Sequence, residues 1–314
     1  GRSPGAMLKG VITGVMPPAP REVREGVLGG RATYHALLTP KGKMITDLWA
    51  TVLAADEAAD YLLDVPVAGA RGLREAFAKL LPPRFAAARD VSAETAALTL
   101  VGPGAAAALA PRALAGRVEA GELRALEEGE WRAALLPGQP PAEALLVIRT
   151  AEVWPEAWTV TGPAEPVVRL WEELVSEAGA RPAGLGVWSI LRVEAGRPVF
   201  GTDMDETTIP TEAGIDARAI DHRKGCYTGQ EVIVRIRDRG HVNRHLRRLE
   251  LGDVPAPAAG TELLAADGSG KVVGRVTSAV RSPRFGVAIA LAYVARGATE
   301  VLLEGRSVEV PESA

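Results

Sequence analysis

The segment Lys224-Gly225-Cys226-Tyr227-Thr228-Gly229-Gln230-Glu231 sets the only cysteine of the chain among basic residues. From Asp221 to Arg248 there are eight Lys or Arg against three Asp or Glu, a balance of +5 in a chain whose net charge is -3. Three of the four histidines, His222, His241 and His245, fall in the same stretch. Thr228 followed three positions later by Glu231 has the form of a capping box and predicts a helix start there. Cys226 then lies just before a helix N-terminus. The partial positive charge of that end, with Arg223, Lys224 and His222 nearby, would favour thiolate over thiol. Gly240 is placed to end the helix in the left-handed conformation. The β-branched run Val232-Ile233-Val234 favours a strand instead. A lone cysteine is also commonly a small buried hydrophobe, and a basic run is commonly a solvated face.

A second candidate is acidic. Leu191-Arg192-Val193-Glu194-Ala195-Gly196 sets one carboxylate among apolar residues before a glycine. A 2-amino-4-oxopyrimidine edge, as in a pterin, offers two adjacent N–H donors that one carboxylate can accept in parallel, as it does from arginine. Glu194 suits that role, although a glutamate before Ala-Gly is commonly a surface residue.

The elements that must carry these residues are irregularly mixed. Tyr34–Leu38 and Leu48–Leu53 predict strands joined by a Pro40-Lys41-Gly42-Lys43 turn. Leu73, Phe77 and Leu80 predict a helix over Ala68–Leu81, stopped by Pro82-Pro83. Ala93–Ala115 predicts a strand and then a short helix, broken by Gly102-Pro103-Gly104. Ala144–Arg149 and Trp158–Thr161 predict strands, and Glu165–Glu177 an amphipathic helix. Beyond Gly252, short runs at Glu262–Leu264, Val272–Thr277, Phe285–Ala290 and Glu300–Leu303 predict a small β-barrel or sandwich. The boundary is expected between Asn243 and Pro257, giving units 1–243 and 244–314. The opening Gly1-Arg2-Ser3-Pro4 has neither a start methionine nor a strand pattern and stands outside these elements.

Composition sets limits. At 314 residues, 47% hydrophobic and 24% charged, the chain is long enough for two large folded units. One cysteine excludes an internal disulfide and any cysteine-based zinc or iron-sulfur site within one chain, so no metal is expected. No apolar stretch reaches the roughly 18 residues of a bilayer span, which makes the reducing cytoplasm the expected location and a membrane partner unexpected. Nucleic acid is likewise not expected, given the negative net charge and 4% aromatic content.

Leu-Arg-x-Glu-Ala-Gly, then Pro210-Thr211-Glu212-Ala213-Gly214, then the Lys-Gly-Cys-Tyr-x-Gly-Gln-Glu octet resemble the YgfZ-type folate-binding relatives of the glycine-cleavage T-protein. Upstream, Leu37–Lys43 with Asp47 resemble that family's first strand pair. Downstream, Val273–Ser278 and Ile289–Val294 resemble its C-terminal barrel. The resemblance implies an α+β, T-protein-like fold of two interlocked subdomains with a C-terminal β-barrel around a folate cavity. It implies tetrahydrofolate as cofactor, Glu194 at the pterin, and Arg192, Tyr227 and Gln230 beside it. It also implies Cys226 as the functional residue, with Lys224 beside it, and Asp47 near the folate's reactive nitrogens.

The same resemblance implies an accessory protein for iron-sulfur cluster assembly or repair, whose partners are assembly factors or client proteins. The thiolate would take a one-carbon unit, ligate iron transiently with a partner, or be oxidised. The alternative is an aminomethyltransferase. T-proteins carry an Asp-Asp pair and an Ala-Arg-Asp where this chain has Thr46-Asp47 and Val187-Trp188-Ser189, and their counterpart of the octet lacks the cysteine. A scaffold that has lost folate binding would instead bury Cys226. Arg235, Arg237 or Arg239 could meet a folate's anionic glutamate tail electrostatically, with surface solvation the expected role of at least two of them.

Overall fold

The computed structural model describes residues 1–56 and 58–312. In chain order its elements are α1 (Pro4–Lys9), β1 (Arg21–Arg24), β2 (Val27–Arg31), β3 (Thr33–Leu38), β4 (Met44–Val52), β5 (Tyr61–Asp64) and α2 (Val67–Leu80). There follow β6 (Thr95–Val101), α3 (Ala105–Ala113), α4 (Ala120–Arg124), β7 (Glu130–Ala134), β8 (Leu146–Thr150), β9 (Ala157–Pro163) and α5 (Ala164–Ser176). The remainder is α6 (Leu185–Glu194), α7 (Pro210–Ala213), α8 (Asp216–Ala219), α9 (Gln230–Arg239), β10 (Arg244–Gly252), β11 (Glu262–Ala265), β12 (Val272–Arg281), β13 (Ala288–Ala295), β14 (Glu300–Leu303) and β15 (Arg306–Glu309).

Three sheets organise these elements. One has the order β1-β2-β7-β8-β9-β6, a small one β3-β4-β5, and the last β10-β13-β12-β11-β14-β15. Only Ala32 separates β2 from β3, so the chain passes directly from the first sheet into the small one and returns to the first with β6. That passage interlocks the two α+β units.

The β3–β4 hairpin is buried on both faces, which explains why β3 reads as a nearly continuous apolar run. On one side Leu37, Leu48 and Ala50 pack against Leu73, Ala76 and Phe77 of α2. On the other, Tyr34, Ala36, Leu38 and Met44 meet Phe200, Met204, Ile215, Tyr227 and Ile233. Removing Phe77 down to Ala would cost about 3–5 kcal/mol. In the larger first sheet Leu98, Val147, Trp158 and Val160 are covered by Leu109 of α3, Leu123 of α4 and Leu170 of α5.

Several expectations are corrected. The opening residues are part of the fold: the Arg2 and Ser3 N–H groups bond the Arg84 and Phe85 carbonyls, and α1 begins at Pro4. Val232-Ile233-Val234 is helical, because Ile233 points into the core from α9. The strand expected over Phe285–Ala290 begins only at Ala288, since Ser282 to Gly286 form the turn out of β12, with Gly286 N–H on the Ser282 carbonyl at 3.0 Å. Gly240 does follow α9, but with extended backbone (φ -129°) rather than left-handed. Among the described residues no helix is long and apolar enough to cross a membrane, and no His, Cys, Asp or Glu cluster is placed to hold a metal.

Candidate functional site

Glu194 is the last residue of α6 and is only 3% exposed. A carboxylate at a helix C-terminus faces the negative end of the helix dipole and needs donors to offset it. They come from the turn after β12: Ser282 Oγ donates to Oε1 at 2.5 Å, with the Arg284 N–H at 3.4 Å. The Arg248 guanidinium also caps the Glu194 carbonyl at 2.8 Å. Both donors to the carboxylate meet Oε1, and among the described residues none meets Oε2. Glu194 lines a cavity of about 370 Å³, together with Arg149, Trp154, Arg197, Arg248 and Arg284. The Arg284 guanidinium lies 3.7 Å from the centre of the Trp154 ring, and Arg149 stacks on Trp158 at 4.5 Å. Arg149 Nη1 is buried without a partner.

These residues suit a pterin-bearing ligand. The volume lies within the roughly 300–1,000 Å³ of small-molecule sites. The walls combine a carboxylate acceptor, an aromatic face and an arginine donor.

Asp47 forms a second centre. On the β3–β4 ladder Ala36 faces Asp47 and Tyr34 faces Trp49, so Tyr34 is the diagonal neighbour of Asp47 on one face. The Tyr34 hydroxyl donates to Asp47 Oδ2 at 2.6 Å, while Oδ1 is buried without a partner. Burial pushes the Asp47 carboxyl up to about 6, against the lowering effect of the Tyr34 hydrogen bond. Burial likewise raises the Tyr34 phenol well above its ordinary value. Arg218 of α8 stacks over the Tyr34 ring at 4.7 Å and binds Glu128 and, at 2.6 Å, Glu152. Glu128 lines the Glu194 cavity, whereas Asp47 does not. The two carboxylates are therefore linked through Glu128, Arg218 and Tyr34.

The octet is divided. Cys226 is exposed, which removes the scaffold expectation of a buried thiol, and it lines neither Glu194's cavity nor the Asp47 centre. Lys224 turns away from it and donates to the Ile12 and Gly14 carbonyls at 2.5 and 3.1 Å, and burial lowers its ammonium to about 8. Tyr227 is buried in the core beside the β3–β4 hairpin, and Gln230 opens α9; neither lines the cavity. The expected capping box is absent. Gly229 is the N-cap, in the left-handed conformation (φ 84°), and no side chain caps α9. A Cβ on Gly229 would lie 2.6 Å from the Thr39 carbonyl oxygen, so a glycine is needed where α9 meets the β3–β4 turn.

Arg192 also departs from its expected place. It is buried in an ion pair with Asp203 at 2.7 Å, donates to Ser278 Oγ at 2.7 Å, and does not line the cavity. Arg235, Arg237 and Arg239 lie along α9, and the arginines at the cavity are Arg149, Arg197, Arg248 and Arg284. Tyr34, Arg149, Arg218 and Ser282 were not singled out by sequence. Of these, Tyr34 carried a sequence signal, as the first residue of the strand predicted over Tyr34–Leu38.

Comparison with known proteins matches residues 24–224 to the GCVT N-terminal domain and 244–312 to the glycine cleavage T-protein C-terminal barrel domain. The aminomethyltransferase of Rubrobacter xylanophilus is 34% identical over 283 residues, covering 89% of this chain and 71% of that protein. That of Thermosynechococcus vestitus is 33% identical over 274 residues, covering 84% and 67%. The crystal structure of glycine cleavage system aminomethyltransferase T from Bartonella henselae aligns with a TM-score of 0.70 at 22% identity, over 90% of this chain and 75% of that one, which shows the shared fold.

Proposed function

Because this chain belongs to the glycine-cleavage T-protein family, we propose that it binds the pterin edge of a reduced folate at Glu194 and acts on an aminomethyl-type one-carbon unit at the Asp47 centre, which Glu128, Arg218 and Tyr34 link to that cavity. The observation that carries the folate reading is the buried Glu194 carboxylate, held through Oε1 with Oε2 uncommitted. Such an acceptor matches the two N–H donors of a 2-amino-4-oxopteridine edge. Tetrahydrofolate, when bound, supplies nitrogens that accept a one-carbon unit.

Asp47 is the residue suited to proton transfer. A carboxyl whose pKa is about 6 exchanges its proton near neutral pH, and the Tyr34 hydrogen bond fixes its orientation. The Rubrobacter and Thermosynechococcus relatives are named aminomethyltransferases, and that supports aminomethyl transfer here. The test is ammonia release from an aminomethylated lipoyl carrier protein in the presence of tetrahydrofolate. The wild-type protein is expected to release it and Asp47→Asn to lose that activity. Absence of release, with folate binding intact, would refute the transferase reading.

A second reading has its own observation. The cysteine of the YgfZ-like octet is exposed and so open to another protein, as an accessory role in iron-sulfur cluster assembly or repair requires. Loss of iron-sulfur enzyme activity in cells carrying Cys226→Ala, with normal protein levels, would favour it over aminomethyl transfer.

A further inference from the structure

We infer that Ser282 is a positioning residue for the ligand's donor edge, so that recognition is shared between α6 and the C-terminal sheet. The inference rests on reading Glu194 as the folate acceptor. Ser282 is 1% exposed, and its Oγ accepts the Phe285 N–H at 3.0 Å. Its own proton is therefore free for Glu194 Oε1, 2.5 Å away. The turn holding it is closed by Ser282 N–H on the Val287 carbonyl at 2.9 Å and Gly286 N–H on the Ser282 carbonyl at 3.0 Å.

The same strand grips α6 a second time. Asp203 accepts Thr277 Oγ1 and Ser278 Oγ at 2.6 Å each, and Arg192 Nη1 at 2.7 Å. Arg192 and Glu194 are thus both tied to β12 or the turn that follows it, which blocks rotation of the helix end against the sheet. A glutamate has three rotatable side-chain bonds, and an unanchored carboxylate would present its oxygens in many orientations. With Oε1 held by the Ser282 hydroxyl, Oε2 offers both its lone pairs to the ligand, and Oε1, whose other donor, the Arg284 N–H, is long at 3.4 Å, is the weaker second acceptor for the adjacent N–H group. A ligand offering one N–H at that edge forgoes a charge-assisted hydrogen bond.

The experiment is anaerobic calorimetric titration of the full chain with tetrahydrofolate and with its 2-desamino analogue, which lacks one donor. Wild type, Glu194→Ala, Ser282→Ala and Ser282→Thr are compared. Ser282→Ala is expected to weaken tetrahydrofolate binding about 10-fold and to bring its preference over the analogue close to one, with Thr restoring both. If Ser282→Ala does not fold, Ser282→Cys, with a weak donor in the same place, is expected to show the same loss of preference. Retained affinity and preference in Ser282→Ala, alongside weakened binding by Glu194→Ala, would overturn the positioning role and leave the folate reading standing. Equal weakening of both ligands without rescue by Thr would make Ser282 merely structural. Glu194→Ala binding like wild type, or no binding by wild type, would overturn the folate reading and this inference with it.

Discussion

The Tyr34 hydroxyl and Asp47 Oδ2 are 2.6 Å apart in the buried face of the β3–β4 hairpin, and the other oxygen of Asp47 has no partner. One hydrogen bond does not offset the desolvation of a carboxylate, so its pKa rises from 3.8 to about 6. Between those values the native state holds a proton that the unfolded chain releases. Stability therefore falls as pH rises through this window and stays lower above it. Asp47→Asn removes the penalty. Urea denaturation should show a gain of up to about 3 kcal/mol over wild type at pH 8 and none at pH 4. No gain at pH 8 would contradict the raised pKa.

His35, on the same strand, acts in the opposite sense. It is buried, accepts the Gly14 N–H on Nδ1 at 2.9 Å and contacts Thr33 Oγ1 through Nε2 at 2.8 Å. Burial lowers its pKa from 6.5 to about 3. The unfolded chain therefore binds a proton below 6.5 that the native state refuses until about 3, and stability is lost as pH falls through this range. Between pH 4 and 6 the slopes from His35 and Asp47 nearly cancel. In Asp47→Asn the His35 slope, about 1.4 kcal/mol per pH unit, should be unmasked, and a flat profile in that variant would count against a neutral His35.

Arg192 is expected to matter for stability more than for binding contacts. Arg192→Ala leaves the fully buried Asp203 carboxylate without its cation, which costs about 3–5 kcal/mol. A lowered denaturation midpoint is the expected result. Unchanged stability with lost folate affinity would instead make Arg192 a ligand-contacting residue.

The exposure of Cys226 is directly measurable. An alkylating reagent should modify it completely without denaturant, and Cys226→Ala should keep the wild-type melting temperature and folate affinity. Reaction only after unfolding would contradict the placement of the octet.

What the sequence disclosed followed the range of the interactions. Local patterns marked the β3–β4 hairpin, α2 and α5 to within a few residues, because alternation, helical spacing and proline stops act over short stretches. The octet misled at Thr228: a capping box assumes an ordinary helix entry, and the left-handed Gly229, packed on Thr39, takes the N-cap instead. Glu194 could be singled out from its motif, but its partner Ser282 is 88 positions away and left no local trace. Arg149 and Arg197 reach the cavity only because β8 and the segment after α6 converge there. Arg192 looked like a candidate site residue because it neighbours Glu194 in the motif, and only the tertiary fold shows its charge spent on Asp203.

The most direct test of the central claim is anaerobic titration of tetrahydrofolate into the wild-type protein and Glu194→Ala, followed by tryptophan fluorescence, since Trp154 lies at the cavity. Saturable binding that Glu194→Ala weakens by about 10-fold or more is the predicted result. Equal binding by the two proteins, or none by either, would contradict it.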